Sequence, residues 1–209
     1  MRDIPIIFST PMVRALLDGR KTMTRRLAWK RIKRGGSEGA LIYTQRNKVQ
    51  PGDRLWVRER WGCPPADHPR VKDGRKPQRG DRVVFMADPA DAWQWRGGHG
   101  CADFVWRPSI RMPRWASRLT LVVTATKVER LQDISERDAI AEGIEWYDCC
   151  WGIWNNNGTM RCGGSPDEAF RCLWVNLHGT DAWYSNPEVV ALTFTVHRCN
   201  IDAMPKEAA

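Results

Sequence analysis

The run SRLTLVVTATKVERL, residues 117–131, sets the first limit on what this chain can become. Side chains branched at Cβ crowd a helix and suit a pleated surface, so the run reads as an extended strand, the longest in the sequence. A strand that long needs partners for its backbone. Residues 4–8, the threonine-rich segment KTMTRRLAW, and the final run VVALTFTV at 189–196 supply them. Two further stretches, QPGDRLWVRERW and QRGDRVVFMA, share one form, a Gly-Asp turn leading into short apolar strands at 55–57 and 83–86.

Three helices carry their own end signals. Thr10 caps the first, with Pro11 at its first position, Met12, Val13, Leu16 and Leu17 on one face, and Gly19 where a left-handed stop is wanted. SERDAIAEG starts with a Ser135 cap, places Asp138 third and stops at Gly143. SPDEAFRCLWVNLHG is capped by Ser165, with Pro166, Glu168 and the stop Gly179, and its apolar face is Ala169, Phe170, Leu173, Trp174 and Leu177. The sum is an α+β fold with about five to seven strands and three helices, a small barrel or curled sheet. The Pro- and Gly-rich residues 62–80 and 88–113 read as insertions or long loops. At 209 residues the chain suits one domain with insertions.

Composition narrows the partners. A net charge of +9 calls for an anionic one: nucleic acid first, nucleotides second, membrane surface third. The apolar runs are too short to span a bilayer and the N-terminus lacks a cleavable leader, so the expected location is the cytoplasm, with no membrane partner. Seven irregularly spaced cysteines without such a leader are expected as free thiols. Twelve tryptophans stand against three tyrosines. Several of them, such as Trp93, Trp95 and Trp106, lie in polar stretches, where they either stack bases or pack small clusters.

The chemistry candidates are few. Cys63 with His68, His99 with Cys101, and Cys149–Cys150 with Cys162 lack paired metal-ligand spacing, and no phosphate loop occurs, so neither metal nor cofactor is expected. Lys21 and Thr24 follow the first helix among Arg20, Arg25 and Arg26. A lysine desolvated among cations can lose its proton and activate a threonine hydroxyl. In an ideal strand residues 21 and 24 face opposite ways, so cooperation requires Lys21 in the turn or a bulge between them; otherwise the segment is a solvated basic turn. Glu142 falls in the last turn of its helix, where the macrodipole disfavours a carboxylate, unless a cation such as Lys21 holds it. In WVRERWG, strand alternation puts Trp56, Arg58 and Arg60 on one face and Val57, Glu59 and Trp61 on the other. Glu59 beside Trp61 either reads the donor edge of a cytosine-like base or joins a core with a salt bridge.

Together, PIIFSTPMVRALLDGRKTMTRR, GDRLWVRERW, LTLVVTATKVERLQDIS, SERDAIAEGI and VVALTFTV resemble the ASCH family of PUA-like β-barrel domains, with PSIRMPRWASRLTL similar to its phage and prophage branch. The resemblance covers most of the chain outside 62–113 and 145–164, which it marks as insertions. It implies an amidohydrolase that splits N4-acetylcytidine or a related modified nucleoside, with Lys21, Thr24 and Glu142 catalytic. Arg25, Arg26, Arg58, Glu59 and Trp61 then line the substrate site. Other family members bind or cleave RNA. That leaves two rivals: a non-catalytic RNA or modified-base binding module, in which Lys21, Arg25 and Arg26 hold phosphate and Trp61 stacks a base, and a metal-independent ribonuclease. Oligomeric state stays open.

Overall fold

A computed structural model describes residues 1–34, 37–43, 48–64, 77–90, 106–154 and 160–205. His68, Trp93, Trp95, His99 and Cys101 lie outside the described residues. The fold is α+β, with four helices and twelve strands among the described residues. The principal sheet has five strands: β1 (Asp3–Ile7), β2 (Met23–Leu27), β5 (Arg54–Arg58), β8 (Thr120–Arg130) and β12 (Glu188–His197). Their spatial order is β1-β5-β8-β12-β2, parallel between β1 and β5 and antiparallel elsewhere. The β-branched run is thus the long central strand it was read to be.

Length mismatch shapes this sheet. β12 pairs along all of β8, with a register shift between Thr193 and Phe194. β5 takes only Thr120–Val122 of β8, whereas β2 takes Val189–Thr193 of β12, which lie opposite the C-terminal half of β8. The two edges are therefore staggered, and twist brings them around toward each other. Arg26 of β2 reaches across, donating to the Ile7 carbonyl of β1 at 3.0 Å with its guanidinium 5.1 Å from the Phe8 ring. Among the described residues no ladder joins β1 to β2, so the sheet is curled and open, not closed into a barrel.

Alternation along β12 feeds two cores. Val190 and Leu192 enter a cluster with Ile6, Phe8, Val13, Leu16, Leu55, Val57, Leu121 and Val123, under helix α1 (Thr10–Leu17). Val189 enters a second cluster, with Leu131, Ala139, Ile144 and Ile153, packed by helices α2 (Glu136–Ala141) and α3 (Pro166–His178). Burial on both faces explains the unbroken VVAL run. A third, smaller cluster holds Trp61, Cys63, Met112 and Ala116.

Several local readings shift. The first helix is capped by Ser9, not Thr10, because Ser9 holds the extended backbone while its carbonyl accepts from Val13 at 2.9 Å. Leu177 is 58% exposed, since α3 turns it away from the core. A fourth helix, α4 (Thr180–Tyr184), follows immediately on the Gly179 stop, too short to show a periodic face. The strand at 83–86 shrinks to β7 (Val84–Phe85), paired with β6 (Trp61–Gly62) and ended by a turn from Asp88 to the Phe85 carbonyl. The 145–164 stretch contains a three-stranded antiparallel sheet of β9 (Glu145–Tyr147), β10 (Cys150–Trp154) and β11 (Met160–Gly163). The hairpin of β3 (Trp29–Arg34) and β4 (Ser37–Tyr43) had no reading in the sequence. No helix among the described residues is long and apolar enough to cross a membrane.

Gly143 joins these parts. It turns the chain out of α2 at φ +101°, and a Cβ there would stand 3.2 Å from the Ala15 Cβ and 3.6 Å from the Lys21 Cβ. Gly19, at φ +75°, has open space where its Cβ would lie. Gly143→Ala is therefore expected to cost about 2–3 kcal/mol, from backbone strain plus crowding, against about 1 kcal/mol for Gly19→Ala. Urea denaturation of the two variants tests the difference; equal costs would show that crowding at Gly143 is relieved for free.

Candidate active site

Lys21 sits in the turn between α1 and β2, the position its cooperation with Thr24 required. Its amide donates to the Ala15 carbonyl at 3.0 Å, and the next residue ties the turn on both sides. The Thr22 amide donates to the Ala141 carbonyl at 2.9 Å, and the Thr22 carbonyl accepts from the Phe194 amide at 2.9 Å. The turn is thus pinned between the end of α2 and the long strand β12.

Glu142 proves to be the C-cap of α2, one residue beyond the helix proper. The Lys21 ammonium donates both to its carboxylate Oε2, at 2.6 Å, and to its backbone carbonyl, at 2.7 Å. One cation therefore answers two negative centres, the side chain and the helix's terminal carbonyl. Lys21 is 1% exposed. Burial pushes its pKa below the ordinary 10.5, Glu142 opposes that shift, and the charges of Arg26 and Arg25 add to it. The Phe8 ring lies 5.7 Å from the ammonium nitrogen, so Phe8, with Arg26 over it, stands beside the lysine.

Thr24, on β2, is fully buried, and its hydroxyl has no hydrogen-bond partner among the described residues. It lies across the sheet from Leu192, which in turn lies across from Thr126. The Thr126 hydroxyl is also buried without a partner, so two unsatisfied hydroxyls flank one leucine on one face.

Arg25 points to the other face and is bound by carboxylates. Its guanidinium bonds Glu129 through Nε at 3.0 Å and Nη2 at 2.7 Å, and Asp138 at 2.6 Å. Its Nη1 lies 3.6 Å from the remaining Glu142 oxygen. Lys127 pairs with Glu129 at 2.6 Å from the solvent side. Lys21, Arg25 and Lys127 thus balance Glu142, Glu129 and Asp138, a neutral group of six charges reaching from the buried lysine to the surface. Charges buried this deeply persist only when paired.

The remaining site residues fall elsewhere. Burial alternates along 55–61, as the strand reading required, with Leu55, Val57, Glu59 and Trp61 inside. The Glu59 carboxylate is taken by Arg118, at 2.9 and 3.1 Å, and burial raises its pKa against that partner. Arg118 also bonds both Asp88 oxygens at 2.8 Å. Trp61 is 2% exposed in the third cluster, edge-on to Trp115 at 6.2 Å with Arg107 5.8 Å from its ring. Arg58 donates to the Ile110 carbonyl and stacks on Trp56 at 5.4 Å. Lys21, Thr24, Arg25, Arg26 and Glu142 therefore gather around β2, while Arg58 ends β5, Glu59 follows it and Trp61 begins β6.

Glu129, Asp138, Thr126 and Phe8 had no functional reading in the sequence. Glu129 left one trace, a charge at an inward phase of the long strand; Asp138 was masked by its place in the first turn of α2. Cys149, Cys150 and Cys162 do meet, and thiol contacts with neighbours push Cys150 up to about 11. Even so, no group of three His, Cys, Asp or Glu residues among those described is arranged to hold a metal ion. Neither protein-family models, nor curated proteins, nor solved structures give a match to this chain.

Glu142→Gln removes the group that favours the protonated form of Lys21. The expected result is a further drop in the Lys21 midpoint, read by amine nitrogen NMR, and a stability loss of about 3 kcal/mol at neutral pH. A depressed lysine pKa makes the unfolded chain bind more protons, so stability rises with pH through the interval up to 10.5. The interval is wider in the variant, so its deficit should shrink as pH rises. A deficit independent of pH would show that the pair is not ionised.

Proposed function

We propose that this chain is a cytoplasmic ASCH protein with a PUA-like fold that hydrolyses the amide of N4-acetylcytidine or a related N4-acylated nucleoside. The observation that carries the reading is the 2.6 Å Lys21–Glu142 bond, formed between residues 121 apart in sequence and next to the strand that carries a buried, unpartnered Thr24 hydroxyl. The curled, staggered sheet with α1 between its two edge strands supports the fold assignment.

In this scheme the neutral Lys21 amine takes the Thr24 proton as the hydroxyl oxygen attacks the acyl carbonyl carbon. The tetrahedral centre collapses, the bond to cytidine N4 breaks, and the Lys21 ammonium returns its proton to the leaving nitrogen. Water then attacks the threonine ester, with Lys21 again as base, releasing acetate and the free hydroxyl. Burial lowers the cost of the neutral amine, and Glu142 fixes its position. Phe8, beside the lysine, and Arg26, packed on the Phe8 ring, must swing aside to admit a base.

The net charge of +9 favours the second reading, a module that binds RNA or a modified base. Against it, Arg25 is already held by carboxylates, which leaves Arg26 as the phosphate contact on β2.

Incubation of the purified protein with N4-acetylcytidine is expected to release cytidine and acetate in equal amounts. Lys21→Ala and Thr24→Ala should each lower turnover by about 10²–10⁴-fold. A rise in salt from about 50 to about 200 mM should change the rate little, because the substrate is uncharged. Full turnover in Lys21→Ala, or none in the folded wild type, overturns the scheme. RNA binding that weakens steeply with salt would then support the module, and metal-free shortening of labelled RNA the ribonuclease.

A further inference from the structure

A cleft of about 520 Å³ opens between α3, α4 and β11, within the size range of small-ligand sites. None of its lining residues belongs to the Lys21 group. Helix α3 turns Ala169, Phe170, Leu173 and Trp174 inward and presents Arg171, Cys172, Val175 and Asn176 to the cleft, two pairs spaced by four. Thr180, Trp183 and Tyr184 of α4 form the facing wall, and Met160 and Cys162, two apart on β11, complete the lining. Near the start of α3 the strand comes very close: a Cβ on Gly163 would lie 2.6 Å from the Glu168 Cβ.

The charge pattern of the lining is one-sided. Among the described residues that line the cleft, Arg171 is the only cation and none is a carboxylate. Among the described residues Arg171 makes no hydrogen bond or ion pair. The two acids one turn earlier are occupied: Asp167 accepts from the Ser165 hydroxyl at 2.5 Å, and Glu168 accepts from the Gly164 amide at 2.9 Å. A guanidinium that lines the same cleft as Trp183 and Tyr184 suits a ligand with a flat ring and a single anionic group. The Thr180 hydroxyl adds a polar group able to meet the edge of a heterocycle.

We propose that this cleft is a second ligand site, separate from the Lys21 group, that binds a nucleoside monophosphate: the base against Trp183 and Tyr184, the phosphate on Arg171. The site stands whether or not the hydrolase reading does, because it shares no residue with it. Cys172 and Cys162 line the cleft and report its occupancy.

The experiment is calorimetric titration of the whole protein with CMP and AMP, together with iodoacetamide labelling of Cys172 and Cys162 mapped by mass spectrometry. Binding is expected with a Kd on the order of 100 µM, and about 1 mM nucleotide should slow Cys172 alkylation about tenfold. Arg171→Gln, at an exposed position that leaves the core intact, should weaken binding at least about tenfold. Tyr184→Ala, at a side chain 70% exposed, should weaken it less. Three results overturn the proposal: no binding at about 5 mM nucleotide; protection by inorganic phosphate equal to that by CMP, which would make Arg171 a bare anion contact; or binding that survives Arg171→Gln undiminished, which would place the nucleotide outside this cleft.

Discussion

The rest of the structure depends on a buried ammonium that cannot stand alone. Lys21 has left water, and the free energy of that step is recovered only if an anion meets it at bonding distance. Glu142 is that anion, and meeting it requires α2 to end where the turn after α1 begins. Gly143 makes the approach possible by carrying no side chain into the contact, and the backbone bonds of Thr22 hold the turn against both α2 and β12. Arg25, one strand step beyond Thr24, repeats the logic on the opposite face with Glu129 and Asp138. Three segments far apart in sequence are thereby held by charges none of which is tolerable unpaired.

The sheet makes room for this arrangement by being uneven. Because β5 and β2 attach to different halves of the two long strands, twist carries the edges past each other and leaves a gap between β1 and β2. Arg26 reaches across the gap to the Ile7 carbonyl, and its guanidinium packs on Phe8. A backbone ladder there would have sealed the neighbourhood of Lys21 and Thr24. A side-chain bridge, unlike a ladder, can open without breaking the sheet.

Punctuation accounts for most of what could be read in advance. The first three helices and the principal strands were legible because proline, glycine and capping serines act over a few residues, and because strand alternation is a local property. Burial of Glu59 and Trp61 followed the same alternation. What escaped was short or depended on context: α4, a single turn after a stop; the small sheet at 145–163, in a region without a clean period; Leu177, apolar yet turned outward; and Ser9, which differs from Thr10 as a cap only in backbone angle.

Residue types and local order were therefore written in the chain: α+β composition, a long central strand, and a lysine, a threonine and an oddly placed glutamate that chemistry singles out. Which of these meet was a different matter. Local patterning says which face a residue occupies but not what lies opposite, since pairing across more than a hundred residues is set by how sheet twist and helix packing bring distant surfaces together. That is why the Lys21–Glu142 bond, the balance of six charges around Arg25, and the open guanidinium of Arg171 became visible only once the chain was folded.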